Sequence, residues 1–192
     1  MTTGNKYFGI EGWSWYNPPR NWSYGQARIN VRTDADTDFW ATTHYGFVRD
    51  SGHALLLRMP SEFQISATFS GRYHEQYDQA GLLIRLDAHN WIKSGVELID
   101  GICQLSTVVT RDVSDWSMTA SKTNISEHTE IGLTLIRAGD TVTISHTIGD
   151  TPASMSRLAY FPPTIPVQSG IMCASPNGQG FDVTFGNVAV ML

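Results

Sequence analysis

Hydrophobic and polar residues alternate through much of this chain with a period of two, which is typical of β-strands. The clearest alternation lies in residues 79–98. One face of this segment is apolar and comprises Ala80, Leu82, Ile84, Leu86, Ile92, Val96 and Leu98. The other face is mostly polar and comprises Gln79, Gly81, Leu83, Arg85, Asp87, Trp91, Lys93, Gly95 and Glu97. With a break at residues 88–90, the pattern predicts a β-hairpin with one buried face and one face of functional side chains.

The register of this hairpin follows from the cost of burying unpaired charge. A slip of one residue would move the charged side chains into the apolar layer. We therefore predict an odd-length turn at residues 88–90, which sets Asp87 opposite Trp91 and Arg85 opposite Lys93. Two cations that face each other are unfavourable unless an anion or a polar ligand lies between them. The pairing therefore predicts a ligand site on this face.

Shorter runs with β-strand character recur along the chain, separated by turn signals such as Asp100-Gly101 and Asn177-Gly178. We predict strands at residues 27–32, 39–48, 53–58, 63–70, 103–110, 130–137, 141–146, 154–160, 167–173 and 181–190. The sequence shows no amphipathic helix pattern, no repeat of fixed period and no low-complexity linker. We expect an all-β fold of two packed antiparallel sheets, a sandwich or jelly roll with an open concave face.

The composition favours a single domain that spans residues 1–192. Hydrophobic residues make up 41% of the chain and charged residues 16%, which suits one sizeable core. The formal net charge of -5 comes without a basic stripe, so nucleic acid is not an expected partner. The sequence has neither a membrane-spanning segment nor the apolar region of a signal peptide, so we expect a cytoplasmic protein. Cys103 and Cys173 lie in apolar, strand-like settings and are expected to be buried thiols.

Several short motifs resemble a domain family of unknown function that includes the fungal regulation-of-enolase protein. They are Thr37-Asp38-Phe39-Trp40, Thr43-His44-Tyr45-Gly46-Phe47-Val48-Arg49-Asp50, Tyr77-Asp78-Gln79-Ala80-Gly81, Asn90-Trp91-Ile92-Lys93, Gly95-Val96-Glu97 and Cys173-Ala174-Ser175-Pro176. The resemblance covers nearly the whole chain in order. It implies a concanavalin A-like lectin/glucanase jelly roll, a cytoplasmic location in fungi and a link to the regulation of enolase. It implies no known catalytic residue, because fold alone does not determine function.

The polar face of the hairpin is the first candidate site. We interpret it as a carbohydrate or polyol cleft in which Trp91 stacks on a ring, Arg85 and Lys93 donate hydrogen bonds, and Gln79 and Glu97 contact hydroxyl groups. Asp87 lies on the same face. The alternative is a solvated sheet face on which the charges pair diagonally, as Asp87 could with Lys93.

A second candidate group lies in the predicted strand 39–48. Strand parity places Trp40 and His44 on one face and Tyr45 and Phe47 on the other. We predict that Trp40 and His44 form a ligand-facing pair. In the alternative interpretation, Tyr45 and Phe47 belong to the core and His44 is a structural histidine.

Catalysis and metal binding find weaker support. Glycoside hydrolysis needs two carboxyl groups about 5–9.5 Å apart. Glu97 lacks an acidic neighbour at alternate positions of its strand, although Asp78 or Asp87 could approach it across strands.

Residues 34–38 contain three alternating aspartates, but Phe39 and Tyr45 stand where an EF-hand loop needs glycine and glutamate. A lectin-type calcium site stays open there, as does a simple turn. The six histidines show no zinc spacing, and no cofactor is expected.

From these observations we predict a non-catalytic protein that binds a carbohydrate or a sugar-derived metabolite and regulates carbohydrate metabolism, with no membrane partner. The pairing of Arg85 with Lys93 favours an anionic ligand. One alternative is a protein-interaction regulator that contacts a glycolytic enzyme such as enolase through residues 13–19. The other is a cryptic glycoside hydrolase that uses Glu97.

Overall fold

The computed structural model describes residues 5–121, 123–163 and 166–192, and these residues form seventeen β-strands. The strands are β1 (Asn5–Tyr7), β2 (Ile10–Tyr16), β3 (Asn21–Gly25), β4 (Arg28–Arg32), β5 (Phe39–Ala41), β6 (Val48–Asp50), β7 (His53–Met59), β8 (Phe63–Gly71), β9 (Gln79–Arg85), β10 (Asn90–Ile99), β11 (Ile102–Arg111), β12 (Val113–Thr119), β13 (Ile131–Ala138), β14 (Thr141–Ile148), β15 (Ser154–Tyr160), β16 (Val167–Ala174) and β17 (Asp182–Met191). Within these ranges there is no α-helix and hence no helix that could cross a membrane.

Two antiparallel sheets enclose the main core. The eight-stranded sheet has the order β1-β2-β7-β16-β9-β10-β11-β12, and the seven-stranded sheet has the order β15-β14-β13-β8-β17-β4-β3. Alternate residues of both sheets point inward, for example Leu82 and Ile84 from one sheet and Ile65 and Leu135 from the other. The predicted all-β sandwich of antiparallel sheets is confirmed.

The hairpin of β9 and β10 has the predicted faces but a different register. Trp91 pairs with Arg85, Lys93 with Leu83, and Glu97 with Gln79. The predicted pairing of Arg85 with Lys93 is therefore wrong by two residues, although strand parity is preserved. The reason lies in the turn, because the Asp87 carboxylate accepts hydrogen bonds from the backbone N–H groups of residues 89 and 90, each at 2.8 Å.

The predicted strand 39–48 is wrong because the chain reverses within it. Strands β5 and β6 pair as a separate two-stranded sheet, and residues 42–47 connect them. The backbone φ angles of Thr42, His44 and Gly46 are positive, at 60°, 64° and 72°. Non-glycine residues rarely adopt such angles, so alternation of side chains could not reveal this tight turn.

The β5–β6 hairpin lies on the outer face of the eight-stranded sheet, the face that points away from the main core. Phe39 and Trp40 of the hairpin form a second apolar cluster with outward-facing residues of five sheet strands, namely Ala54, Leu56, Leu83, Trp91, Val108 and Met172. The backbone N–H of Ala41 also donates to the Ser114 hydroxyl on β12 at 2.9 Å. Much of the outer face is therefore covered, and only its remaining part can hold a ligand.

Candidate functional site

A cleft of about 170 Å³ opens beside the β5–β6 hairpin on the outer face of the eight-stranded sheet. Its walls are aromatic and comprise Trp40, Tyr45, Phe47, Tyr77 and Trp116. Its floor is polar and comprises Asp38, Gln79, Lys93 and Glu97. Arg49, Pro176 and Asn177 complete the rim. We refer to this site below as the cleft.

The floor is built around a buried ion pair. The Lys93 Nζ lies 3.2 Å from Asp38 Oδ1, and both side chains are at least 90% buried. The same oxygen accepts a hydrogen bond from Gln79 Nε2 at 3.3 Å and one from the backbone N–H of Phe39 at 2.7 Å. Lys93 and Gln79 belong to neighbouring sheet strands, whereas Asp38 precedes β5. The ion pair therefore joins the hairpin to the sheet.

Glu97 supplies a second carboxyl group to the floor and is 5% exposed. Burial is the largest influence and raises the pKa of Glu97; the charge of Lys93 and a hydrogen bond with Ser106 lower it. Asp38 raises this pKa further, and a hydrogen bond with Trp116 lowers it. The site thus contains one carboxylate that is paired with a cation and one carboxyl group that holds its proton more tightly than usual.

The raised pKa of Glu97 predicts a specific dependence of stability on pH. Over the range between the ordinary pKa of glutamic acid and the raised value, the folded protein keeps a proton that the unfolded chain releases. The Glu97 contribution to the free energy of unfolding is therefore expected to fall as pH rises through this range. The Glu97→Gln variant should lack this loss and should be more stable than wild type above the range. Urea denaturation at a series of pH values measures the difference.

A matched control for this prediction is Glu62→Gln, since Glu62 is exposed. This variant should follow the wild-type pH profile. If Glu97→Gln also followed that profile, the inferred effect of burying Glu97 would be wrong.

Ring contacts hold the aromatic walls in place. The Tyr45 and Tyr77 hydroxyl groups are 3.0 Å apart, and this hydrogen bond is the main cause that raises the pKa of Tyr45 to about 12. Tyr45 also stacks on Phe47, with ring centroids 5.4 Å apart. Trp116 meets Trp40 edge to face at 6.1 Å. The aromatic side chains of the walls are thus held in position before a ligand binds, which lowers the entropic cost of binding.

The structure brings four of the predicted site residues together: Trp40, Gln79, Lys93 and Glu97 all line the cleft. His44 does not join them, because it lies in the turn between β5 and β6 and is exposed. Its ring contacts Tyr45 and borders an open depression next to the cleft, which Trp40 also lines.

The other three predicted residues have structural roles. Trp91 is 2% exposed and packs against Phe39, with ring centroids 6.1 Å apart, so it offers no surface for stacking. Arg85 donates hydrogen bonds to both carboxylate oxygens of Asp50, at 3.1 and 2.8 Å. Asp87 belongs to the turn. The β5–β6 hairpin covers Trp91 and pairs with Arg85 through Asp50, whereas Asp87 is exposed and its carboxylate is used by hydrogen bonds within the turn.

The structure also shows where the residues of two further sequence-based alternatives lie. Asp78, the possible second acid, does not line the cleft, and its carboxylate accepts hydrogen bonds from the Ser175 hydroxyl and from backbone N–H groups. Within residues 13–19, the alternative contact surface, Trp13 and Pro19 are buried, whereas Ser14 and Pro18 are exposed. Among the described residues, no group of three or more His, Cys, Asp or Glu could hold a metal ion.

Sequence reasoning missed most of the aromatic walls. Strand parity places Tyr45 on the opposite face of a continuous strand, and the sequence suggests only a calcium site or a turn for Asp38. Trp116 lies in β12, which was not predicted as a strand. Ser114, Trp116 and Met118 occupy alternate positions and therefore share one face of this strand, next to Thr110, Val108 and Ser106 of β11. This spacing of two is the signal from which the strand could have been predicted.

The fold and the cleft define the class of the protein, a β-sandwich with a small aromatic-walled site on one outer sheet face. The chain belongs to the family described as "Protein of unknown function (DUF1349)", whose profile matches residues 15–191.

Comparisons with individual proteins agree with this assignment. The chain is 35% identical over 172 residues to "Regulation of enolase protein 1" of Saccharomyces cerevisiae, which covers 90% of this chain and 85% of that protein. A crystal structure of a functionally unknown protein from Saccharomyces cerevisiae is 32% identical, with a TM-score of 0.89 and coverage of 97% and 98% of the two chains. The GH43 protein BlXynB from Bacillus licheniformis has a TM-score of 0.70 at 9% identity and covers 91% of this chain and 35% of that one. At that identity the last comparison shows a shared jelly-roll fold alone.

Proposed function

We propose that this protein binds a carbohydrate or a carbohydrate-derived metabolite in the cleft, without catalysis, and that binding serves a regulatory role in carbohydrate metabolism. The observation that carries the proposal is the combination of aromatic walls with a floor of fixed hydrogen-bonding groups. Sugar rings present apolar C–H faces to aromatic rings and hydroxyl groups to polar side chains, so both parts of the cleft have a partner on such a ligand.

The size of the cleft supports a small ligand. An engineered cavity of about 150 Å³ holds benzene, and the cleft has about 170 Å³. One six-membered ring would therefore fit, with its substituents directed toward the opening. A long polysaccharide would not lie along the outer sheet face, because the β5–β6 hairpin covers the part of that face next to the cleft.

The charges favour a neutral ligand over the anionic one expected from the sequence. Arg85 is paired with Asp50, and Lys93 is paired with Asp38. An anionic ligand at the floor would have to compete with these carboxylates and approach Glu97. Arg49 on the rim already donates a hydrogen bond to the Pro176 carbonyl and lies over the Phe47 ring. Neutral sugars and polyols, which exchange hydrogen bonds without adding charge, match the floor better.

The burial and the hydrogen bonds of the Asp38 and Glu97 carboxyl groups favour binding without hydrolysis. Asp38 accepts three hydrogen bonds at one oxygen, and Glu97 is buried and bonded to Ser106 and Trp116. A hydrolase would need one of these groups to activate water or to attack the sugar. We therefore expect no release of reducing sugar from ligands that bind.

The ligand is identified by measuring how the melting temperature of the protein responds to neutral mono- and disaccharides, polyols and their phosphates. Ligand at a hundredfold excess over its Kd stabilises the native state by about 2.7 kcal/mol. Trp116→Ala is expected to weaken binding about tenfold or more, since loss of about 60 Å² of stacked area costs about 1.5 kcal/mol. The Val113→Ala variant changes an exposed residue of the same strand and should bind normally.

A flat response across the panel would contradict the small-molecule part of the proposal. A stronger response to the phosphates than to the neutral compounds would contradict the preference for neutral ligands.

The name of the yeast relative, "Regulation of enolase protein 1", supports the regulatory part of the proposal. A glycolytic enzyme such as enolase is the proposed partner. Binding of the protein to immobilised enolase, measured with and without a ligand found in the panel, tests this part directly. If neither form binds enolase, the regulatory proposal loses its partner.

A further inference from the structure

The outer face of the seven-stranded sheet carries a second feature that the cleft does not use. Five paired residues cross this face in one row, from Met191 on β17 through Gln64, Ile136 and Thr143 to Leu158 on β15. Met191 and Leu158 are each 59% exposed and Ile136 is 40% exposed. The neighbouring residues along the strands, such as Ile65 and Leu135, are buried in the main core. The row therefore faces solvent.

The next rows have the same character. One contains Ala189, Ser66, Thr134, Ser145 and Met155. The row beyond it contains Gly186, Thr68, Gly132 and Thr147. None of the residues in these three rows is charged. We call this surface, formed by the three rows on β17, β8, β13, β14 and β15, the neutral face.

Charged side chains surround the neutral face, and one of them reaches its corner, where the Arg28 side chain lies beside Gly186. Arg157 of β15 reaches Asp115 of the other sheet at 3.2 Å. Arg32 and Asp182 pair at 3.1 Å beside the β17 side of the face. Arg111 lies over the ring of Tyr160, 5.2 Å from its centroid. A centre depleted of charge within a charged rim is one feature of protein–protein interfaces.

We propose that the neutral face binds the same face of a second copy of this chain. Two copies that each carry a net charge of -5 repel each other, and the neutral face is a surface where they can meet without opposing like charges. A two-fold arrangement needs a single self-complementary patch, which a face of hydroxyl, amide and aliphatic groups supplies. Sheets packed face to face are a standard arrangement at about 10 Å spacing.

The area of the neutral face suits a reversible dimer. Five strands about 4.8 Å apart and three rows about 6.8 Å apart give a footprint of about 500 Å² per copy, or about 1,000 Å² for a pair. That value lies at the lower limit for specific interfaces. A carbohydrate is a poorer occupant, because the three rows contain no aromatic ring for stacking. The cleft lies on the outer face of the other sheet, so the dimer would leave both clefts open, and this inference stands apart from the proposed function.

The test is sedimentation equilibrium of the full chain from micromolar to millimolar concentration. The mass of the wild-type protein should rise from 21.3 kDa toward twice that value. Ile136→Lys on the central strand β13 and Thr143→Lys on the neighbouring strand β14 each place a cation within the neutral face, twice per dimer, and each should weaken association at least tenfold. Val113→Lys places the same charge at a position 52% exposed on the eight-stranded sheet and should associate as wild type does.

Salt provides a second readout. Screening of the net negative charges should strengthen association as ionic strength rises, because no ion pair across the interface is lost. A wild-type protein that stays at 21.3 kDa throughout the range would overturn the proposal. So would dimers that persist in both lysine variants, or association that weakens as salt is added. Circular dichroism confirms that each variant is folded.

Discussion

Replacement of Trp91 by alanine is expected to lower the free energy of unfolding by about 3–5 kcal/mol. The indole is 2% exposed and lies between the eight-stranded sheet and the β5–β6 hairpin, where it packs against Phe39. Its removal leaves a cavity that the two layers can close only by moving the hairpin. The Nε1–H group also donates to the carbonyl of Ala88 at 3.2 Å, so the turn of the β9–β10 hairpin loses a contact. Urea denaturation, followed by fluorescence or circular dichroism, measures the change.

Trp116→Ala is the matched comparison for this variant. Trp116 is only partly buried and lines the cleft, so its loss should affect ligand binding more than stability. The two tryptophan variants should therefore separate the two properties. If Trp91→Ala kept the stability of the wild type and lost the ligand, Trp91 would be part of the site, as the sequence alone predicts.

Replacement of Lys93 by methionine is expected to destabilise the protein by about 3–5 kcal/mol, because it leaves the buried Asp38 carboxylate without its cation. Asp38 is 7% exposed and keeps only its hydrogen bonds from Gln79 and Phe39. The variant also removes the charge that lowers the pKa of Glu97, so this pKa should rise further. Denaturation in urea at neutral pH gives the size of the effect.

Two controls separate the buried ion pair from a general effect of losing a lysine. The Asp38→Asn/Lys93→Met double variant removes both charges and should recover much of the lost stability. Lys6→Met removes the cation of an exposed pair with Glu11, 3.6 Å away, and should change stability by less than about 1 kcal/mol. A small effect of Lys93→Met, similar to that of Lys6→Met, would mean that the Asp38–Lys93 contact is not a buried ion pair.

The β9–β10 hairpin shows how far local patterns reach. Its two faces were predictable, because side chains alternate strictly along a strand and a charged residue is costly in an apolar layer. The exact partners were not predictable, since the side chain of Asp87 shifted the turn by two residues without changing the parity. Arg85 and Lys93 do not face each other, and Asp50 and Asp38 neutralise their charges. The pair therefore no longer favours an anionic ligand.

By itself, the sequence determined that this protein is an all-β sandwich and which side of most strands is buried, since both follow from the period of side chains along the local chain. The tertiary structure decided which polar residues share a site. Asp38 reaches Gln79 and Lys93, 41 and 55 residues away along the chain, only because the β5–β6 hairpin packs on the outer sheet face. The same packing buries Trp91 and exposes Tyr45. No local pattern predicts such contacts, because they depend on which apolar surface of the sheet the β5–β6 hairpin packs against.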